Sequence, residues 1–389
     1  MLQRKIGPVL VSAARNFPVL TLLGPRQSGK TTLVRHLFPH HTYLNLENPE
    51  TRSYLAQDPK SLLGQGKSNI IIDEVQRVPE VLSWVQIYVD ENRSPGQFIL
   101  TGSNQPELGS AVAQSLAGRT GIYYLFPLSC EELGPVSQDR DSLLVKGFMP
   151  RLYQESEFTP SPSDYYSAYY ATYVERDVRA LLQLQNLNRF DTFLRLLAGR
   201  VGQLTNLSAL SGDVGVSSTT LSQWLSILEA SFIVFRLQPY FSNLGKRLVK
   251  TPKIYFTEPG LLAWLLQIES GHQVARDPLL GPIFENMVVM EALKGAYNRG
   301  VEPRLSFYRD KTGLEVDLVR EQNRAPRAVE IKAGRTFTSE MISSVVKFQK
   351  LGQSPPLPGG LVYAGEKGPR VQGVQILPYL TTAPFLYDS

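Results

Sequence analysis

Residues 19–34 read VLTLLGPRQSGKTTLV, and this stretch decides the fold. Val19 to Leu23 is an uninterrupted apolar run, as expected of a strand buried on both faces of a parallel sheet. It breaks at Gly24, and Gly24-Pro25-Arg26-Gln27-Ser28-Gly29-Lys30-Thr31-Thr32 follows, with Leu33, Val34 and Leu37 at helical spacing beyond it. This is G-x-x-x-x-G-K-[ST] between a strand and a helix, the setting in which the motif carries meaning. The glycines let the chain curl until successive N–H groups point inward, where they meet phosphate oxygens at a helix N-terminus. Lys30 would reach the β- and γ-phosphates, and the Thr31 hydroxyl would ligate magnesium. ATP with Mg2+ is therefore the ligand expected at residues 24–32.

Moving outward, His41–Leu46 reads as a second short strand and residues 49–63 as a helical connector. Asn69-Ile70-Ile71-Ile72-Asp73-Glu74 is an apolar strand ending in two acids. In P-loop ATPases such a strand supplies an aspartate that holds magnesium, here Asp73, and a glutamate that polarises the attacking water, here Glu74. Gln97–Thr101 is the next strand and leads into Gly102-Ser103-Asn104. Ser103 or Asn104 would position that water or sense the γ-phosphate; a plain turn is the rival reading. Arg119, in Ala117-Gly118-Arg119, is the candidate for an arginine finger given to a neighbouring subunit, against an ordinary surface arginine. Gly121–Phe126 closes a run of alternating strands and helices, which predicts a parallel sheet covered on both faces.

The 389 residues suggest two or three domains, and a 42% hydrophobic share is ample for their cores. A net charge of +5 is compatible with a polyanionic partner without requiring one. Cys130 is the single cysteine, so neither a disulfide within the chain nor a cysteine zinc site is expected, and the four histidines lack ligand spacing. No apolar run approaches membrane-spanning length and the start MLQRKIGPVL lacks a signal core, so a cytoplasmic protein without a membrane is expected.

The segments GPRQSGKTTL, IIDEVQ, LTGSN, LAGR, FPLSCEEL, YVERDV, KRLVKTPKIYF and EVDLV spread over nearly the whole chain. Together they resemble bacterial and archaeal AAA+ ATPases fused to a C-terminal domain of long-unassigned function. After a Pro/Ser-rich break (TPSPSD), Tyr165, Tyr169, Tyr173 and Val174 recur at helical spacing, which looks like a helical lid over the nucleotide. Arg176 or Arg179 would touch phosphate there, or pair with Glu175 or Asp177, and the tyrosines read as core.

Residues 189–256 predict three helices and a β-hairpin, the pattern of a winged helix-turn-helix. The helices are marked by Phe190 to Leu197, Leu207–Ser211 and Ser217–Glu229, with a turn at Gly212–Val216; the strands are Phe232–Leu237 and Lys253–Phe256. Thr219, Thr220 and Gln223 would be exposed on the recognition helix, with Lys246, Arg247, Lys250 and Lys253 on a basic wing. That combination suits DNA phosphate contacts, although winged helices also serve as protein adaptors.

In the last third, a helix over Ile283–Leu293 bears Glu285, and strands follow at Leu305–Arg309, Leu314–Arg320 and Arg327–Lys332. Period-two geometry sets Asp317 on one strand and Glu330 with Lys332 on the next, on facing positions. The pattern D-x(12)-E-x-K behind an acid-bearing helix is similar to the PD-(D/E)xK nuclease superfamily, with Glu285, Asp317 and Glu330 as ligands for Mg2+ or Mn2+ and Lys332 beside the scissile phosphate. A solvated face of alternating charge is the alternative. An amphipathic helix at Ser339–Leu351 and strands at Leu361–Tyr363 and Val371–Leu377 would complete that sheet.

The expected fold class is α/β. It comprises a P-loop AAA+ parallel sheet (residues 1–136), a helical lid (137–187), a winged helix-turn-helix (188–257) and a restriction-endonuclease-like α/β domain (258–389). The expected function is ATP hydrolysis coupled to remodelling of, or translocation on, DNA by a homo-oligomer, with metal-dependent cleavage as a further activity. The alternative is an ATP-driven switch that binds a protein partner, its nuclease fold an inactive relic.

Overall fold

The computed structural model describes residues 2–60, 69–92, 94–103, 112, 114–154, 156–178, 187–240, 251–351 and 357–388. Five strands form an all-parallel sheet: β1 (Val19–Leu23), β2 (Thr42–Asn45), β3 (Ile70–Asp73), β4 (Phe98–Gly102) and β5 (Thr120–Tyr124). Their order is β2-β3-β4-β1-β5, with Leu20 opposite Ile99 and Ile71 opposite Ile99 on either side of β4. Every residue of β1, β3 and β4 is buried, the burial expected where helices cover both faces. Because β4 lies between β1 and β3, the ends Leu23, Asp73 and Gly102 open onto one rim. Arg119, just ahead of β5, sits on the opposite rim, since Thr120 pairs with Val19 at the start of β1.

Residues 134–178 pack short helices around a buried tyrosine ladder. A helix at Pro162–Tyr169 passes into π-type turns at Tyr170–Val178, and the Tyr165, Tyr169 and Tyr173 rings stand in series at 6.2 and 5.3 Å. The tyrosines are core, as their spacing suggests.

The helices Leu207–Val214 and Ser218–Ala230 follow Leu187–Ala198, and the hairpin of β6 (Val234–Pro239) and β7 (Lys253–Phe256) comes next. The expected turn at Gly212–Val216 begins later: Gly212 is helical, and Gly215 at φ +74° makes the left-handed exit that only glycine adopts without strain. Ser217 then caps the next helix by accepting from Thr220 N.

The hairpin is also part of a larger sheet. Gln238 and Pro239 pair in parallel with Ser306 and Phe307, so β6 and β7 extend the C-terminal sheet to seven strands, β12-β11-β10-β9-β8-β6-β7. The remaining strands are β8 (Leu305–Arg309), β9 (Glu315–Gln322), β10 (Ala325–Lys332), β11 (Gly360–Tyr363) and β12 (Gln375–Pro378). β12 starts later than the Val371 expected from the sequence, because Gln372 (φ +49°) and Gly373 (φ +84°) fold Val371 back onto Val374. The Ser339–Leu351 segment likewise splits, into a 3-10 turn over Ser339–Ile342 and a helix over Ser343–Gln349.

A long helix, Leu280–Asn298, joins the two halves of the chain. Fourteen of its nineteen residues are buried, so it is covered nearly all round and acts as a core strut. Its C-terminal half docks on residues 126–133: Phe126 stacks on Tyr297 at 5.5 Å, Cys130 N donates to Glu291, and Lys294 donates to Leu128 O.

Candidate functional site

The P-loop is held open by backbone that side chains would obstruct. Gly24 has φ +151°, and a Cβ there would lie 2.1 Å from the Leu125 carbonyl oxygen; Gly29, at φ +93°, caps the Lys30–Leu37 helix. Lys30 is buried, and its Nζ donates to the Gly24 and Pro25 carbonyls at 3.0 and 2.8 Å. Burial draws its pKa down to about 8, against the pull of the Glu74 and Asp73 carboxylates. The Ser28 hydroxyl is buried inside the same loop with no hydrogen-bond partner. An ammonium satisfied only by carbonyls and an orphaned hydroxyl fit a cradle meant for phosphate.

Thr31 and Asp73, the residues expected to hold magnesium, are in contact. Thr31 Oγ1 donates to both Asp73 oxygens, at 2.9 and 3.1 Å, Tyr43 OH donates to Oδ2 at 2.6 Å, and Thr101 donates to Oδ1. A hydroxyl against a carboxylate at the phosphate end of the loop is a donor set suited to Mg2+.

Glu74 follows in the left-handed region (φ +57°), an uncommon conformation for a side-chain-bearing residue. Its Oε2 accepts from Ser103 Oγ at 2.9 Å and from the Gln76 amide, and that amide also reaches Ser103 at 3.1 Å. Ser103 therefore holds the Glu74 carboxylate in place; Asn104 lies outside the described residues. Gln76 was visible in the IIDEVQ segment, yet nothing in its spacing revealed the contact.

The helical segment closes over the loop: Tyr165 OH donates to Gln27 Oε1 at 2.6 Å, and Arg26 lies over the Tyr173 ring at 5.5 Å. A cavity of ≈ 580 Å³ beside the loop is lined by Lys30, Thr31, Thr32 and Glu74 together with Arg4, Leu128 and Arg151. The side chains of Arg176 and Arg179 lie outside the described residues. Arg119 forms a two-point pair with Asp90 at 2.7 and 2.8 Å, far from its own P-loop.

The second constellation lies where β9 and β10 part. Pairing runs up to Leu318–Val329, and beyond it Asp317 Oδ2 takes the Ile331 N–H at 2.8 Å. Lys332 Nζ stands 2.6 Å from Glu330 and 3.9 Å from Asp317, and Ser344 holds the other Glu330 oxygen at 2.6 Å. Asp317, Glu330 and Lys332 are thus together, as the spacing required.

Glu285 approaches from the long helix but is engaged by Lys253 Nζ at 3.1 Å and Tyr255 OH at 2.6 Å. Burial, reinforced by Asp317, raises both Glu285 and Glu330 to about 7. Burial lowers Lys332, but the charges of Asp317 and Glu330 outweigh it and leave the amine above its ordinary value. Among the described residues no three acidic, histidine or cysteine side chains are gathered closely enough to hold a metal ion. The Glu285 and Glu330 carboxylates, expected with Asp317 to hold Mg2+ or Mn2+, are paired here with Lys253 and Lys332, the latter in the place the D-x(12)-E-x-K pattern gives it.

Lys253 departs from the wing expectation. Its side chain is 3% exposed and bridges Glu285 and Glu315 (2.7 Å), because β7, at the edge of the larger sheet, carries it to these two acids. Thr219 and Gln223 are exposed on their helix, and Thr220 is half-buried against the Ser217 cap at 2.8 Å. Lys246, Arg247 and Lys250 lie outside the described residues. No helix among the described residues is long and apolar enough to cross a membrane.

Family models match three stretches of the chain: an AAA domain at residues 16–134, a domain of unknown function (DUF8612) at 137–272, and a domain of unknown function (DUF4143) at 280–381. Uncharacterized proteins of Mycobacterium tuberculosis and Mycobacterium bovis are each 32% identical over 355 residues, 89% of this chain and 78% of theirs. One of Haemophilus influenzae is 26% identical over 317 residues, 72% of this chain and 75% of its own. Among solved structures, a Walker-type ATPase of Pyrococcus abyssi aligns at 14% identity and TM-score 0.46, over 68% of this chain and 96% of its own. A signal-transduction ATPase with numerous domains from Pyrococcus horikoshii aligns at 14% identity and TM-score 0.23, over 75% of this chain and 47% of its own.

Proposed function

The chain belongs to the bacterial and archaeal AAA+ ATPase family shared with these mycobacterial proteins, and from that premise we propose that it hydrolyses ATP to act on DNA held by its later domains. The observation that carries the ATPase reading is the convergence of Lys30, Thr31, Asp73 and Glu74 on one sheet rim. Lys30 exchanges the Gly24 and Pro25 carbonyls for phosphate oxygens, whose negative charge favours its ammonium form. Thr31 and Asp73 hold Mg2+, which neutralises charge building on the phosphates. Glu74, steadied by Ser103 and Gln76, orients and takes a proton from the attacking water. Arg119, released from Asp90, would serve a neighbouring copy in an oligomer.

DNA is the proposed partner because Thr219 and Gln223 are exposed on a polar helix face and the sequence carries Lys246, Arg247 and Lys250 between β6 and β7. The cluster of Asp317, Glu330 and Lys332 supports a nuclease-like ancestry. Since Glu285 is held by Lys253 and Tyr255, the reading favoured is engagement of DNA without cutting.

The test measures ATP hydrolysis, DNA retention and DNA cleavage on single-stranded, duplex and branched DNA, with Mg2+ or Mn2+. Hydrolysis stimulated by DNA, retention at low salt and no cleavage are expected, and Lys30→Ala should abolish hydrolysis. Hydrolysis indifferent to every DNA form, with none retained, would replace DNA by a protein partner. Cleavage that disappears in Asp317→Ala would establish a working nuclease.

A further inference from the structure

Arg4 lies outside every motif, yet its guanidinium is buried against the P-loop. Nη1 donates to Ser28 O at 2.7 Å, Nη2 to Phe126 O at 2.6 Å, and Nε to Glu132 Oε1 at 3.0 Å. The Arg4 and Glu132 side chains are 5% and 0% exposed. Glu132 is itself fixed, because it also accepts from Lys5 N at 2.8 Å and, through its other oxygen, from Ser129 N at 2.9 Å in a capping box.

We propose that Arg4 is a positioning residue for the nucleotide's phosphates: by gripping the Ser28 carbonyl it turns the Gly29 N–H into the phosphate-binding curl. The inference rests on the reading that residues 24–32 bind nucleotide. In a planar trans peptide the C=O and N–H point in opposite directions, so a clamp that fixes Ser28 O also fixes the direction of the Gly29 N–H. Gly29 follows at φ +93°, and glycine resists peptide rotation less than any other residue. A loop with a glycine there needs an external hold to keep its donor aimed before ligand arrives. The three bonds diverge from one planar fork, which a lysine cannot reproduce. Glu132 and Ser129 belong to the FPLSCEEL segment, whose role in the site is thereby explained: it anchors the clamp.

Two variants test this. Arg4→Lys keeps the charge and loses the fork; Arg4→Met combined with Glu132→Gln removes both charges, so neither is stranded. Binding of Mg2+ with a fluorescent ADP analogue, and kcat and KM for ATP, are measured well below each variant's melting temperature. One aimed donor to a charged oxygen predicts weaker nucleotide binding and a raised KM, by roughly tenfold or more, with kcat within about twofold. A general loss of packing would instead lower melting and kcat together. Wild-type binding with both variants unchanged removes the role of Arg4 alone. A wild-type protein that binds no nucleotide removes the P-loop reading and this inference with it.

Discussion

Replacing Lys294 by methionine removes one half of a buried ion pair that pins the C-terminal half of the chain to the ATPase sheet. Lys294 Nζ donates to Glu291 Oε1 at 3.1 Å and Leu128 O at 2.9 Å and stands 3.8 Å from the centre of the Phe148 ring. The two charged side chains are 1% and 3% exposed. Burial raises the Glu291 pKa, and Lys294 is the strongest influence holding it down. Methionine fills nearly the same volume, so the cost is electrostatic: a carboxylate left buried without its counter-ion, about 3–5 kcal/mol. The further loss at Leu128 O overlaps with this and is not added.

Glu291→Gln keeps an acceptor for Cys130 N, and the Lys294→Met/Glu291→Gln double variant strands no charge. It should therefore recover roughly 2 kcal/mol or more relative to the sum of the single changes. Denaturant titration of all four proteins supplies the cycle. In Lys294→Met the folded Glu291 favours its neutral form more strongly. Its folded pKa then lies above the unfolded value, so the deficit should shrink as pH falls toward 5 and grow above it. A single variant within about 1 kcal/mol of wild type, or additive single changes, would refute this account of the junction.

Lys30→Met should abolish ATP hydrolysis while stabilising the nucleotide-free protein. A fall from 10.5 to about 8 bounds the gain at roughly 3 kcal/mol at neutral pH, read by denaturant titration. Because the folded pKa is depressed, wild-type stability should rise between about pH 8 and 10.5, and the variant should lack that rise. Gly24→Ala places a Cβ 2.1 Å from a backbone oxygen, so loss of nucleotide affinity together with a melting decrease is expected by calorimetry. Glu74→Gln should leave Mg2+–ATP binding intact and lower kcat by about a hundredfold or more in steady-state assays. Asp317→Asn should let Glu285 and Glu330 titrate below their values of about 7, which infrared or NMR titration of the carboxyl groups would follow.

The sequence by itself determined what is local. The strand–loop–helix of residues 19–37, the acid-ended strand at 70–73 and the alternation around Asp317 and Glu330 are legible because periodicity and a few obligatory residues set them within one element. The three helices and hairpin after residue 187 follow for the same reason.

What only the tertiary structure decided are the partners. Arg4 meets the P-loop across 24 residues, Ser103 meets Glu74 from the end of β4, and Lys253 is drawn inward by acids at 285 and 315. A basic residue near a predicted wing and one buried in an ion pair look alike in sequence. The difference comes from the parallel pairing of Gln238 with Ser306, which makes the hairpin part of a larger sheet. Such contacts depend on which burial of charge and apolar surface costs least once the elements assemble, and no local pattern encodes that balance.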